Sequence, residues 1–407
     1  MATENIVAAL DIGTTKVFCV VGEMDAEGAV YVTGHGTSPA DGLKRGIVVD
    51  MDKTVKAIEK AVGDAQMVSG VEIDRVSVGI AGEHLRSINS HGVVTVSRSD
   101  NEITAADVKR AVDAARTVAI PVDREIIHVV PQAYSVDDQS GIQDPVGMNG
   151  VRLEVEAHIV TASVTSARNV YRALERCHLG VDHVVLESLA LSQVLLNETN
   201  LESGCALLDI GGDITSVSVF FDGAIRHSST ISLGGRNITN DIAIGLRTSV
   251  SQAEELKIAH GAALTTLVDA TEMIDVPGPG GRAVKEISRN VLASIIEPRV
   301  EEIFSLVGRE LRQVVSLDGL ASGIILTGGG AALAGVTELA EQIFDVPVRV
   351  GEVRGFAHVP DNLGAPTYAA GFGLLMYGFG NEPSAGRRSG RMRSWLSRLE
   401  DWITKKM

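Results

Sequence analysis

The chain has 407 residues, enough for two to four domains, and its 45% hydrophobic content with 43 glycines excludes a disordered or fibrous protein. Met1 to Asn5 puts no basic residue before the first apolar run, and no run approaches the ~20 apolar residues of a spanning helix, so neither a secretory signal nor a transmembrane helix is expected. The net charge of −16 is uneven: residues 387–407 carry seven Lys/Arg and two Asp/Glu, leaving a body with 29 basic and 50 acidic residues, which argues against nucleic acid.

Cys19, Cys177 and Cys205 are widely spaced within apolar runs, so buried, reduced thiols of a cytosolic protein are expected, and Cys177, His178 and His183 do not make a convincing metal cluster.

In chain order, Ile6 to Leu10 predicts a strand, Asp11-Ile12-Gly13-Thr14-Thr15-Lys16 a tight turn and Val17 to Gly22 a second strand. Successive N–H groups in such a turn make an anion nest, the two threonines add hydroxyl donors and Lys16 adds a positive charge. Asp11 is placed to hold a hydrated Mg²⁺. Val30 to His35 predicts a third strand, Thr54 to Val68 a helix and Arg75 to Ile80 a strand: half of an α/β domain. From Glu83 the pattern changes. Strand-like His91 to Ser97, a helix from Thr104 to Val118, a segment Glu125 to Val136, a polar loop from Asp137 to Gly150 and a strand from Val151 to Val164 read as an α+β insertion over 84–161. Ser166 to His178 then predicts a helix, His183 to Leu186 a strand, and Glu187-Ser188-Leu189-Ala190 opens another helix.

The opening device then repeats. Ala206-Leu207-Leu208 leads into Asp209-Ile210-Gly211-Gly212-Asp213-Ile214-Thr215, followed by the alternating run Val217 to Phe221. Two such hairpins predict two similar halves facing one phosphate tail. Ala224 to Leu233, a helix near Asn237 to Gly245, a helix from Ser251 to His260, a strand-like Thr265 to Ile274 and a turn from Val276 to Gly281 come next. Ile287 to Val315 predicts a long helix kinked at Pro298. A strand from Gly323 to Thr327 ends in Gly328-Gly329-Gly330 before a helix from Gly335 to Phe344, again suited to a nucleotide, and Asn362 to Tyr377 predicts a small-residue helix packed close to a neighbour.

The order of these parts resembles the actin/heat-shock chaperone/sugar kinase ATPase superfamily and, within it, the FtsA family of bacterial division proteins. The likeness covers essentially the whole chain, insertion and tail included. It implies an actin-like fold of two lobes, each a mixed β-sheet flanked by helices. The first lobe would take 1–83 with 162–202 and 353–380, and the inserted subdomain 84–161. The second lobe would take 203–245 with 314–352, and its outer subdomain 246–313. A linker at 381–391 and an amphipathic helix at 392–407 would complete the chain.

The resemblance also implies ATP and Mg²⁺ as cofactors. Asp11 and Asp209 would hold the ion through water, and Gly13, Thr14, Thr15, Lys16, Gly211, Gly212 and Thr215 would surround the phosphates. Glu187 would orient the attacking water, Gly328, Gly329 and Gly330 would back the adenosine, and Glu254 and Lys257 would reach ribose and base. The second motif departs from the usual DIGGGTTD at Asp213, Ile214 and Ser216, and a carboxylate beside a triphosphate is repulsive unless compensated. A slow ATPase at best is therefore expected.

Both tryptophans fall in the last 13 positions. At 100° per residue, Met392, Trp395, Leu396, Leu399, Trp402 and Ile403 gather on one side of a helix, while Arg393, Arg398, Glu400, Asp401 and Lys405 lie outside that arc; Lys406, at the end of the helix, does not fit the pattern. Sixteen residues make a helix of about 24 Å, suited to lying in an anionic membrane interface, with Arg393 and Arg398 facing the lipid charge. The implied protein is peripheral on the cytoplasmic face at the division site, binding the FtsZ C-terminal peptide through Lys285 and Arg299, itself, anionic lipids and later division proteins. A small-molecule kinase of the same superfamily, or a pilus-assembly or shape-determining relative, is the alternative.

Overall fold

The computed structural model describes residues 6–276, 278 and 284–381. Two lobes repeat one arrangement of strands. In the first, Ile6–Ile12 pairs antiparallel with Lys16–Met24, which pairs antiparallel with Val30–Pro39; on its other side Ile6–Ile12 runs parallel to Arg75–Ile80. In the second, Cys205–Ile210 pairs antiparallel with Thr215–Phe221, which pairs with Ala224–Ile231, while Ile324–Thr327 runs parallel on the other side. Gly180–Leu186 and Phe356–His358 extend the first sheet to six strands, and Val348–Val350 extends the second to five.

The first hairpin is apolar at nearly every position because its sheet is covered on both faces. Ala9, Phe18 and Val20 pack with Leu374 and Leu375 of the helix Ala369–Asn381 and with Ala190 of the helix Glu187–Leu195. Leu10, Val17 and Cys19 pack instead with Ile58 and Ala61 of the helix Met51–Ser69. That helix begins where Asp50 accepts the Lys53 N–H and ends at Gly70, whose φ of 70° stops it. The small-residue helix was legible for a reason the structure makes concrete: a Cβ on Gly373 would sit 2.4 Å from the Ala190 carbonyl oxygen, so only glycine allows this approach. Cys19 and Cys205 are buried, and burial pushes both thiols up to about 12.

The insertion is a four-stranded sheet in the order Leu85–Thr95, Arg152–Ser163, Arg124–Val136, Gln139–Ile142, with the helix Ala105–Arg116 against one face. Outside the second sheet, the helices Gly235–Leu246 and Val250–His260 and the short hairpin Met273–Val276/Lys285–Ser288 lead into the helix Arg289–Val314.

Several local expectations are corrected. The first insertion strand starts at Leu85 rather than His91, and the polar loop after Val136 contains the strand Gln139–Ile142. Thr265 to Ile274 is mostly a turn: Thr265–Leu267 is a single 3₁₀ turn and the strand begins only at Met273. The long helix starts at Arg289 rather than Ile287 and carries Pro298 inside it, and Leu292, Ile296, Val300, Ile303, Phe304, Val307 and Leu311 form one buried stripe along it. The C-terminal helix extends to Asn381, where the linker was expected to start; the rest of that linker and the predicted helix at 392–407 lie outside the described residues.

Candidate functional site

The two hairpin tips close in the same way. Gly13 N–H donates to Lys16 O at 3.0 Å, and Gly211 N–H donates to Ile214 O at 2.9 Å. Asp11 and Asp209 therefore hold matching places, one on the last turn of each lobe's central strand. Glu187 joins them from the first turn of its helix, 9% exposed, its Oε1 3.2 Å from where a Cβ on Gly79 would stand. A side chain at Gly79 would displace this carboxyl, so Gly79 belongs to the site although nothing in its strand's pattern marks it.

Electrostatics set these three acids apart. Burial first, then the charges of Asp11 and Asp209, push the Glu187 carboxyl well above the usual range, with Lys16 pulling the other way. Asp209 is open to the cleft but otherwise surrounded by protein; burial and then Asp11 raise it to about 6. Lys16 Nζ lies 3.3 Å from Asp11 Oδ2 and 5.1 Å from the centre of the Tyr368 ring. Three carboxylates share one ammonium, a deficit that a divalent cation would relieve. Among the described residues no three acidic, His or Cys side chains are close enough to ligate an ion directly.

Around the second tip, Gly235 N–H donates to Gly211 O at 2.9 Å and Arg236 N–H to Gly212 O at 2.7 Å, so the helix Gly235–Leu246 starts against the turn. Lys257 Nζ donates to Gly235 O at 3.1 Å, Thr239 Oγ1 at 2.9 Å and Glu254 Oε2 at 2.7 Å, which brings Glu254 and Lys257 beside that first turn. Gly328, with φ 79°, leaves room for Asp209: a Cβ there would lie 2.2 Å from Asp209 Oδ1. Gly330 packs on Ile210, and Gly329 is the open member of the triplet.

Other expected residues sit elsewhere. Thr215 is buried, and its hydroxyl donates to Leu233 O at 2.9 Å within the second lobe. Lys285 opens an exposed strand, and Arg299 is engaged in a bidentate pair with Asp241, at 2.6 and 3.1 Å, and with Glu302. The tail residues Arg393, Trp395, Leu396, Arg398, Leu399, Trp402 and Ile403 lie outside the described residues. Sequence reasoning also left Asp213 without a partner. Its carboxylate accepts from Arg236 Nη1 at 3.1 Å and from the Arg45 N–H at 3.0 Å. The pair spans 23 positions of sequence, and only the Gly234-Gly235-Arg236 start of a helix hinted at it.

Behind Glu187 lies a cavity of about 290 Å³ between the lobes, lined by hydroxyls that include Ser188, Ser216, Ser218 and Ser229. Ser216 stands where the usual motif carries its last Asp.

The family model described as "Cell division protein FtsA" matches residues 206–373, and that described as "SHS2 domain inserted in FTSA" matches 82–161. The cell division protein FtsA of Pseudomonas aeruginosa is 43% identical over 98% of this chain and 97% of its own length. That of Neisseria meningitidis is 40% identical and that of Escherichia coli 36%, each over 98% of both chains. Among solved structures, the PilM–PilN type IV pilus biogenesis complex superposes with a TM-score of 0.66 at 16% identity, covering 93% of this chain and 99% of that one. MreB5 of Spiroplasma citri bound to ADP gives 0.56 at 13% identity, over 92% and 96%. These confirm the actin-like fold, and full-length identity above one third shows more: this chain belongs to the FtsA family of cell division proteins.

Proposed function

We propose that the chain is an ATP-binding scaffold of the division site, tethering FtsZ filaments to the cytoplasmic face of the membrane, self-associating and recruiting later division proteins. The observation that carries the nucleotide part is the pair of like-built hairpin tips presenting Asp11 and Asp209 to one cleft, with Glu187 between them. Mg²⁺ bound with the phosphates would supply positive charge there. Asp11 and Asp209 would hold its water shell, Gly13, Thr14, Thr15, Gly211 and Gly212 would meet the phosphates, and Lys16 would exchange Asp11 for them. Glu187 would orient a water once ionised, a state that Mg²⁺ beside Asp11 and Asp209 would favour by offsetting the charges that raise its carboxyl. The slow-ATPase reading rests on the altered second motif at Asp213, Ile214 and Ser216. Gly328 to Gly330, Glu254 and Lys257 would take the nucleoside.

Titration with a fluorescent ATP analogue, with and without Mg²⁺, tests this. Saturable, Mg²⁺-dependent binding lost in Asp11→Asn supports the site; binding indifferent to Mg²⁺ and to that change removes it.

The membrane reading rests on the one-sided apolar pattern of 392–407. Because both tryptophans lie there, a blue shift of emission with anionic liposomes, lost on truncation after Glu382, supports it, and unchanged emission removes it. Lys285 and Arg299 remain the proposed contacts for an acidic FtsZ peptide, which would compete with Asp241 for Arg299. Unchanged co-sedimentation with FtsZ after Arg299→Glu would eliminate that contact. The hydroxyl-lined cavity favours a second reading, phosphoryl transfer to a small acceptor, and phosphate release tracking an added polyol would support it.

A further inference from the structure

The usual glycine of the second phosphate motif is Asp213 here, and its surroundings are not those of a repelled carboxylate. It is 8% exposed, and each oxygen is used: Oδ1 takes Arg236 Nη1 at 3.1 Å and Oδ2 takes the N–H of Arg45 at 3.0 Å. Arg236 and Asp213 belong to the second lobe, whereas Arg45 belongs to the first, in the tight turn between Leu43–Lys44 and Ile47–Val48. The other arm of the same guanidinium crosses in the opposite direction, Arg236 Nη2 donating to Thr14 O at 3.0 Å in the first hairpin tip. A third bond lies alongside: Ser232 Oγ of the second lobe donates at 3.0 Å to Glu83 Oε2, which also pairs with Arg45 Nη1 at 3.3 Å.

We propose that Asp213 and Arg236 form a clasp joining the lobes across the rim of the phosphate cleft, and that its opening sets how fast nucleotide leaves. The inference rests on the nucleotide reading above and adds a device that this chain's altered motif supplies. Each bond of the clasp has one end in a hairpin tip, Asp213 in the second and Thr14 in the first, so separating the lobes at this rim moves Thr14 away from Gly212 and withdraws both sets of phosphate donors together. The bonds are charge-assisted and oriented by a planar fork, which makes them stronger than neutral ones. The Arg236 and Arg45 side chains keep 38% and 46% of their surface exposed, so water and salt compete for them and the clasp opens reversibly. Asp213 is thus a positioning residue: it neither faces a phosphate nor needs a metal, because a fixed cation already occupies it.

The test uses the full chain and two readouts. In the nucleotide-free protein, hydrogen exchange at the Arg45 amide reports the clasp alone: it should be protected in the wild type and exchange at least about tenfold faster in Asp213→Gly. Equal exchange in the two proteins overturns the clasp. With a fluorescent ATP analogue and Mg²⁺, release measured by displacement should speed up by about tenfold or more in Asp213→Gly and in Arg236→Lys, which keeps the charge but loses the fork. The double variant should speed release by less than the product of the single effects, since Asp213 also holds Arg236 toward Thr14. Raising NaCl should speed release more in the wild type than in Asp213→Gly, where only the phosphate contacts remain to be screened. Release rates within twofold of the wild type in both single variants, or additive effects, overturn the proposal. If the wild type binds no analogue, the nucleotide reading fails instead, and amide exchange still decides whether the lobes are joined here.

Discussion

At the scale of single residues, the cleft carries more negative charge than its own cation offsets, and this has a thermodynamic sign. Asp209 ionises at about 6 in the folded chain against an ordinary 3.8. The folded state therefore holds its proton where the unfolded chain has lost it, so stability falls as pH rises between these values and stays lower above them. Asp209→Asn removes the charge. It should stabilise the nucleotide-free protein at pH 7.5 by about 1–3 kcal/mol, with a smaller gain at pH 4, while abolishing Mg²⁺-dependent nucleotide binding. Thermal melts at the two pH values check the first half; an Asn variant less stable than the wild type at pH 7.5 contradicts the assigned burial.

Helices and hairpins show which parts of the molecule are legible from sequence. The first hairpin and its repeat were readable because their signal is local: an apolar run, a turn of Asp and Gly, and a second apolar run. The helix Ala369–Asn381 was readable from its glycines and alanines, although its start lay seven residues later than expected, after two 3₁₀ turns at 361–363 and 366–368. The strand Gln139–Ile142 was not readable, since three of its four residues are exposed and it leaves no alternating pattern. Thr265 to Ile274 misled because Thr and Val favour strands, yet its Val268 is buried by packing against the neighbouring Ala262 and Ala293 rather than by a sheet. In the site, the paired aspartates followed from the repeated turn motif, and Glu187 followed from the family resemblance. Arg236, Arg45 and Gly79 did not, because their roles come from contacts between distant segments.

Two glycines of the same helix give a paired test. Gly373→Ala puts a Cβ 2.4 Å from backbone oxygen and should cost about 1–3 kcal/mol, whereas among the described residues nothing lies within 4 Å of a Cβ on Gly380, so Gly380→Ala should stabilise by up to about 1 kcal/mol. Denaturant midpoints of the two variants on the same side of the wild type would contradict the packing.

For the whole molecule, the seam between the insertion and the lobes is built on neutral histidines. Burial lowers His84 and His128 to about 4 and His158 to about 3, with Arg124 adding to the effect on His84 and His227 on His158. His128 Nε2 accepts the Leu186 N–H at 3.0 Å, and His158 bridges Asn89 of the insertion to Ser228 of the second lobe at 2.7 and 2.9 Å. Their ordinary value is 6.5, so the unfolded chain gains protons that the fold refuses, and stability present above 6.5 is lost as pH falls toward 4. Asp209 and Glu187 act in the opposite sense over part of that range. The histidine effect should therefore be clearest in Asp209→Asn, as an acid-side fall in melting temperature accompanied by early amide exchange at the seam. A flat profile between pH 6.5 and 4 would show that these histidines are solvated.

The contact between Gly373 and Ala190 has a mechanical consequence. Glu187 heads the helix that carries Ala190, and Gly373 belongs to the last helix before the basic tail. With backbone lying on backbone and no side chain as padding, the two helices mesh like gear teeth. A side chain at position 373 that pushed these backbones apart would therefore be expected to disturb the placement of Glu187 as well.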